Sequence, residues 1–368
     1  MKVHFQGINS LRFFAALSVI IYHIEGFKST DLKTVPFLRN MGPHGVSFFF
    51  VLSGFLITYL LLVEKETYGS ISIRKFYTRR ALRIWPLYYF IVIVGLYVIP
   101  QIPFLRYWDN QAEMQQVISS SSLLCFLLLP NVAEAINTMP YIGNTWSIGV
   151  EEQFYFLWPW LIRYTKKYFR LLFLVIIVMI LIRVIIILLM NRFPNAGLGP
   201  LLEIFVLLRF DAMATGGIAA CLLFYKKEKI LQFIYRRDVQ WLCLGLTFLL
   251  LYIETGNRIH FYGWYYFLFA IIILNVATGT KPLFRLRQKW LDYLGKISFG
   301  IYIYHPIVIF FCLKMLKPLI VSTYFFNGLL YISSVAGTIF ISAISFHGFE
   351  LFFLRLKKYF VMIETIET

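Results

Sequence analysis

Two ionisable side chains bracket the first apolar stretch, LRFFAALSVIIYH, with Arg12 near one end, His23 at the other and nothing charged between them. Taken singly, Arg12 reads as a snorkelling end residue and His23 as a hydrogen-bonded core histidine. Their spacing says more. Eleven helical steps of ~100° bring His23 back to within ~20° of Arg12, and a rise of ~1.5 Å per residue sets it ~16 Å deeper. One stripe of the helix then carries a cation at its mouth and an imidazole slightly past the midplane. That geometry suits a long anionic ligand, held at its charged end by Arg12 while its other end reaches His23.

Three further stretches carry groups that are costly at membrane depth. FYTRRALRIWPLYY (76–89) places Arg79, Arg80 and Arg83 at the start of an apolar run. Arg80 and Arg83 share a helix face as an i,i+3 pair, and guanidinium groups so arranged suit phosphates through bidentate bonds as well as anchoring a span. NTWSIGVEEQFYFLWPW (144–160) carries adjacent Glu151 and Glu152, and its Ser147, Glu151, Tyr155 and Trp158 form one face. Helix rise sets Glu151 ~10 Å below the outer boundary and His23 ~18 Å above the inner one, in a core of ~30 Å. The depths agree, and a carboxylate beside an imidazole would orient it and stabilise its protonated form.

LGKISFGIYIYHPI (294–307) puts Ser298, Tyr302 and His305 on one face, with Pro306 expected to free backbone carbonyls there. Arg209 and Asp211, two residues apart, do not face each other and should pair with other helices; Arg183 has no evident partner. The small residues of HGVSFFFVLSGFLIT (44–58) permit close helix packing or close ligand approach.

The elements that must position these groups are membrane helices. At 60% hydrophobic, 14% charged and a mean hydropathy of +0.72, the chain has more apolar surface than a soluble fold could cover. No long polar segment could fold separately, so residues 1–368 read as a single all-α, multi-pass membrane domain. The net charge of +17 sits in short clusters between apolar runs, the pattern of cytoplasmic loops rather than of a nucleic-acid surface. Cys125, Cys221, Cys243 and Cys312 lie in apolar runs without metal-ligand or disulfide spacing, and no metal is expected. The first apolar run lacks a small-residue cleavage site and is expected to be retained.

Hydropathy marks eleven candidates, roughly 9–26, 44–63, 82–100, 118–130, 144–162, 170–190, 201–225, 239–253, 262–279, 294–316 and 325–347. If the short fourth run does not cross, all five basic clusters and both termini fall on one side. The positive-inside rule therefore favours about ten transmembrane helices with cytoplasmic N- and C-termini, and a long outer segment over 101–143. No internal repeat is evident.

Together the pieces Arg12-x10-His23, FFFVLSGFLIT, Arg80-x-x-Arg83, WSIGVEEQFYFLWP and LGKISFGIYIYHP resemble, in order, the acyltransferase family 3 membrane proteins, which transfer acyl groups to surface carbohydrates. The resemblance implies a ten-span acyltransferase of the cell (inner or plasma) membrane that uses acyl-CoA, with His23 catalytic and the arginines near the CoA. Many members carry Glu-x-Pro near the domain end; here Leu351 and Phe352 follow Glu350. Some relatives add an extracytoplasmic esterase-like domain, so this chain is expected to act alone or with a separate glycan-synthesis partner.

The expected reaction is O-acetyl transfer from acetyl-CoA to a hydroxyl of a cell-surface or lipid-linked carbohydrate. In this scheme His23 is the base supported by Glu151, and Arg12, Arg80 and Arg83 hold the CoA phosphates. Trp146, Ser147, Glu152, Tyr155, Ser298, Tyr302 and His305 bind the acceptor or the developing oxyanion. A transporter or flippase for an anionic or glycan substrate would also need buried charges and basic mouths. A non-enzymatic partner of a glycan synthase would leave the matched depths of His23 and Glu151 without a reason.

Overall fold

The structure, a computed structural model, describes residues 2–28, 35–108, 110–253, 263–279, 282–284, 286, 288–319 and 322–367. Strand β1 (Lys2–Phe5) leads into α1 (Ile8–Phe27), α2 (Pro36–Tyr68) and α3 (Ile73–Ile93). After tight turns come α4 (Gln111–Phe126) and α5 (Pro130–Ile136), then α6 (Trp146–Tyr164), α7 (Tyr168–Arg192), α8 (Gly199–Leu207) and α9 (Phe210–Phe224). Next are α10 (Glu228–Ile234), α11 (Arg237–Ile253) and α12 (Gly263–Thr278). The chain closes with α13 (Lys289–Lys296), α14 (Ser298–Leu316), α15 (Thr323–Ser345), α16 (Leu351–Lys357) and strand β2 (Glu364–Glu367).

Among the described residues, seven helical stretches are long and apolar enough to cross a membrane: 8–27, 40–68, 73–101, 168–192, 199–224, 298–316 and 323–360. The other three expected spans coincide with α6, α11 and α12. The first of these carries Glu151, Glu152 and Arg163, and the other two border residues 254–262, with 17 and 16 described residues each. The run at 118–130 is broken, because α4 stops at Phe126 and Leu128 takes a left-handed φ of 61° before α5 begins. Its inner face is packed against protein, with Ser121, Cys125 and Asn131 buried. The protein is thus a multi-pass membrane protein whose outer helices present side chains such as Leu174, Ile177, Leu181 and Leu188 outward.

Close backbone approach binds the centre. A Cβ on Gly216 of α9 would lie 1.9 Å from the Val51 carbonyl of α2, and one on Gly54 of α2 would lie 1.9 Å from that of Met213. These small residues let α2 and α9 touch along their backbones, the close packing expected of the 44–58 stretch. At the chain ends, β1 pairs in parallel with β2, so residues 2–5 and 364–367 lie side by side. Two stretches are wound as π-helix: Val94–Val98 extends α3, and Phe346–Glu350 joins α15 to α16.

Arg183 of α7, unassigned from sequence, meets Asp211 of α9 in a two-pronged pair at 2.6 and 3.0 Å, and its other N–H groups reach the carbonyls of Phe205 and Leu208. Arg209 turns the other way, donating to the Pro43 carbonyl and Ser47 Oγ of α2 at 2.8 and 2.6 Å. The two neighbours pair with different helices, as their i,i+2 spacing requires. Removing one partner of such a pair strands the other charge. Arg183→Met is therefore expected to cost about 3–5 kcal/mol, seen as a lower thermal unfolding midpoint in detergent, with Arg183→Met/Asp211→Leu recovering much of the loss.

Candidate functional site

A cavity of about 680 Å³ opens among α1, α2, α3, α6, α14 and the last turns of the chain. Seven basic side chains line it against the carboxylates of Glu64, Glu151 and Glu350, so its field favours an anionic ligand. Arg12 comes from α1, and Arg79, Arg80 and Arg83 come from the first turns of α3. Arg80 lies over the rings of Phe76 and Tyr155, 5.7 and 5.2 Å from their centroids. Arg79 is spent on structure, donating to Glu64 at 3.3 Å and to the Phe360 carbonyl at 2.9 Å.

Arg12 is oriented by a chain of polar contacts. Its Nη1 donates to Asn9 Oδ1 at 3.1 Å, Asn9 Nδ2 donates to Asp292 at 2.7 Å, and Asp292 pairs with Lys296 at 2.5 Å. The backbones can come this close because position 295 on α13 is glycine; a Cβ there would sit 2.0 Å from the Asn9 carbonyl.

The inner end is built by α6 and α14. Ser147 Oγ and Tyr302 Oη are 2.6 Å apart, and both reach the Asn144 carbonyl, at 3.2 and 3.0 Å. Pro306 lacks the N–H that would close on Tyr302 O, four residues back. Asn144 Nδ2 fills the vacancy, donating to that carbonyl at 2.5 Å. The freed carbonyl expected from Pro306 therefore ties α14 to the start of α6, and Ser298, one turn below Tyr302, also lines the cavity.

His23 and His305 meet beyond Tyr302. His305 Nε2 is 3.1 Å from His23 Nδ1, and His23 Nδ1 also lies 2.9 Å from the Val19 carbonyl. A carbonyl only accepts, so Nδ1 carries the proton and Nε2 carries the lone pair. Neither histidine lines the cavity. Tyr302, which does, has its ring 5.8 Å from that of His305 and 5.8 Å from that of Phe49. At this end of the cavity Tyr302 thus stands next to His305, and His23 lies beyond His305.

The structure brings Arg12, Arg80, Arg83, Ser147, Glu151, Tyr155, Ser298 and Tyr302 around one space. Four of the expected site residues have other partners. Glu151 does not orient His23: its carboxylate accepts from Ser53 at 2.7 Å and Tyr155 at 3.1 Å. Helix rise matched the two depths but not the directions. Glu152, one step of ~100° round the helix, faces α3 and accepts from Trp85 Nε1 at 2.7 Å. Trp146 is not among the cavity's lining residues, and the Arg209 guanidinium lies 5.6 Å from its ring centroid. His305 is wholly buried behind Tyr302 and touches His23 rather than the cavity.

Asn9, Ser53 and Asn144 were not singled out from sequence. Asn144 had a signal, since a helix proline must leave a carbonyl to be satisfied. Glu350, which lacks the Glu-x-Pro context of many family members, is brought to the cavity wall by a π-helical turn and accepts from Ser345 Oγ, 3.3 Å away.

With the site described, comparison with known proteins places the chain. The profile of acyltransferase family 3, described as an acyltransferase domain, matches residues 5–347, and the chain belongs to that family. It is similar to a Staphylococcus aureus (strain COL) protein provisionally named an O-acetyltransferase, with 34% identity over 161 residues. That match covers 42% of this chain and 24% of the relative. It is also similar to the peptidoglycan O-acetyltransferase OatA of Listeria monocytogenes, 29% identical over 43% of this chain and 24% of that protein. A Bacillus subtilis protein provisionally named a peptidoglycan O-acetyltransferase is 30% identical over 42% of this chain and 23% of its own length. The matched stretch is thus about a quarter of each relative's length. No solved structure matches the chain.

Asn144→Ala is expected to leave the Tyr302 carbonyl unpaired and to cost about 1–3 kcal/mol, read as a lower unfolding midpoint. Adding Pro306→Ala restores a backbone N–H at that position and should recover part of the loss.

Proposed function

We propose that the protein transfers an acyl group, acetyl in the simplest case, from acyl-CoA to a hydroxyl of a cell-envelope glycan. Peptidoglycan is the acceptor that the names of the relatives suggest. The observation that carries this reading is a cationic cavity that reaches Tyr302, whose ring lies beside His305, the partner of a histidine, His23, whose Nε2 makes no hydrogen bond among the described residues. Arg12, Arg80 and Arg83 would take the pyrophosphate, and the pantetheine arm would run inward between α1 and α6. Rotation of Tyr302 would open the last barrier to His23.

The acceptor oxygen then attacks the thioester carbonyl as His23 Nε2 takes its proton. The carbon–sulfur bond breaks, and the imidazolium returns the proton to the departing CoA thiolate. His305 holds the reactive tautomer through His23 Nδ1, while Ser147 and Tyr302 offer hydroxyls to the developing oxyanion. Glu151 acts as a positioning residue, fixing Ser53 and Tyr155 beside Arg80. The adjacency of the chain ends supports an even number of crossings, ten in this reading, with the basic clusters and termini cytoplasmic. One domain of the inner or plasma membrane would thus carry both substrate sites.

Purified protein in lipid discs, supplied with acetyl-CoA and a glycan acceptor, tests this. His23→Ala should lower turnover on the order of 10²–10⁴-fold, and Arg12→Ala should raise the KM for acetyl-CoA about tenfold. Wild-type turnover in both variants would refute the assignment.

A further inference from the structure

Three lysines line the cavity from elements other than those that carry the arginines. Lys296 ends α13, and Lys357 and Lys358 stand where α16 runs out. Beyond Lys358 the chain turns through Phe360 and runs back along the cavity wall, contributing Val361 and Ile363 to the lining before β2 pairs with β1. This segment is fastened. Arg79 Nη1 donates to the Phe360 carbonyl at 2.9 Å, and Tyr68 Oη donates to the Met362 carbonyl at 3.2 Å. The end of the chain is therefore a built wall of the mouth, carrying cations and apolar surface side by side.

An acyl-CoA donor bears two separate anionic groups: a pyrophosphate in the middle and a monoester phosphate on the 3′-oxygen of the ribose. Arginine pairs match the first through planar two-pronged bonds. Lysine ammonium groups act as mobile point charges and match the compact, roughly dianionic monoester. Apolar side chains beside them give the adenine face a surface to lie on. Resting on the acyl-CoA reading of the cavity, we propose that Lys357 and Lys358, aided by Lys296, form a subsite for the ribose 3′-phosphate. The C-terminal segment thereby selects 3′-phosphorylated donors.

Calorimetry on the full-length protein in detergent tests the subsite without turnover, using adenosine 3′,5′-bisphosphate, its 2′,5′-isomer of equal charge, and AMP. The wild type is expected to bind the 3′,5′-isomer about tenfold more tightly than AMP and more tightly than the 2′,5′-isomer. Lys357→Ala/Lys358→Ala is expected to make the two isomers equivalent. Equal binding of the isomers by the wild type overturns the subsite, as does a preference that survives in the variant. Turnover separates this from the function itself. A lower KM for acetyl-CoA than for acetyl-3′-dephospho-CoA supports the subsite. Equal KM values overturn it and leave acyl transfer standing, whereas no transfer from either donor overturns both.

Discussion

The contact between His23 on α1 and His305 on α14 is the interaction on which the site depends. In a medium with no water to satisfy them, two imidazoles must find partners or bear a large desolvation cost. His23 Nδ1 finds two, the Val19 carbonyl of its own helix and His305 Nε2. That choice leaves Nε2 as the basic nitrogen and fixes the ring plane. It also locks α14 beside α1, which sets Tyr302 against Ser147 and brings Pro306 within reach of Asn144. The nitrogen proposed as the base, the Tyr302 ring at the cavity and the capped carbonyl all follow from one helix pairing.

Elsewhere the chain handles buried charge in two distinct ways. Arg183 and Arg209 are absorbed by the fold, one by a carboxylate and two carbonyls, the other by a carbonyl, a hydroxyl and the face of Trp146. The arginines at the mouth instead border open space. Arg12 is steered by Asn9, and Arg80 is laid on two aromatic rings, arrangements that orient each guanidinium at the cavity. In the proposed reading this contrast separates cations that hold helices together from cations that would hold the donor.

Much of this was legible in the sequence, for physical reasons that differ by residue. The alternation of basic clusters led to the expectation that 118–130 does not cross; the helix there breaks at Leu128. A helix proline must free a carbonyl, so the consequence of Pro306 could be stated in advance, though not its partner Asn144. Residue spacing placed Ser147, Glu151 and Tyr155 on one face because helical geometry is local. It could not tell which neighbour that face would meet, so Glu151 met Ser53 instead of His23. In the same way Arg12 and His23 share a stripe, yet only Arg12 borders the cavity, because Phe49 and Tyr302 come from other helices. The contributions of Glu350, Lys357 and Lys358 depend on a π-helical turn and on a terminal strand pair, which are tertiary outcomes.

The central claim is that the donor's thioester passes Tyr302 and ends beside His23. A structure of the protein with a non-hydrolysable acetyl-CoA analogue measures this directly. The account predicts the pyrophosphate among Arg12, Arg80 and Arg83, the Tyr302 ring displaced, and the acyl carbon close to His23 Nε2. An analogue whose acyl end stops at the Glu151 side of an undisplaced Tyr302, or whose nucleotide lies outside the cavity, would contradict it.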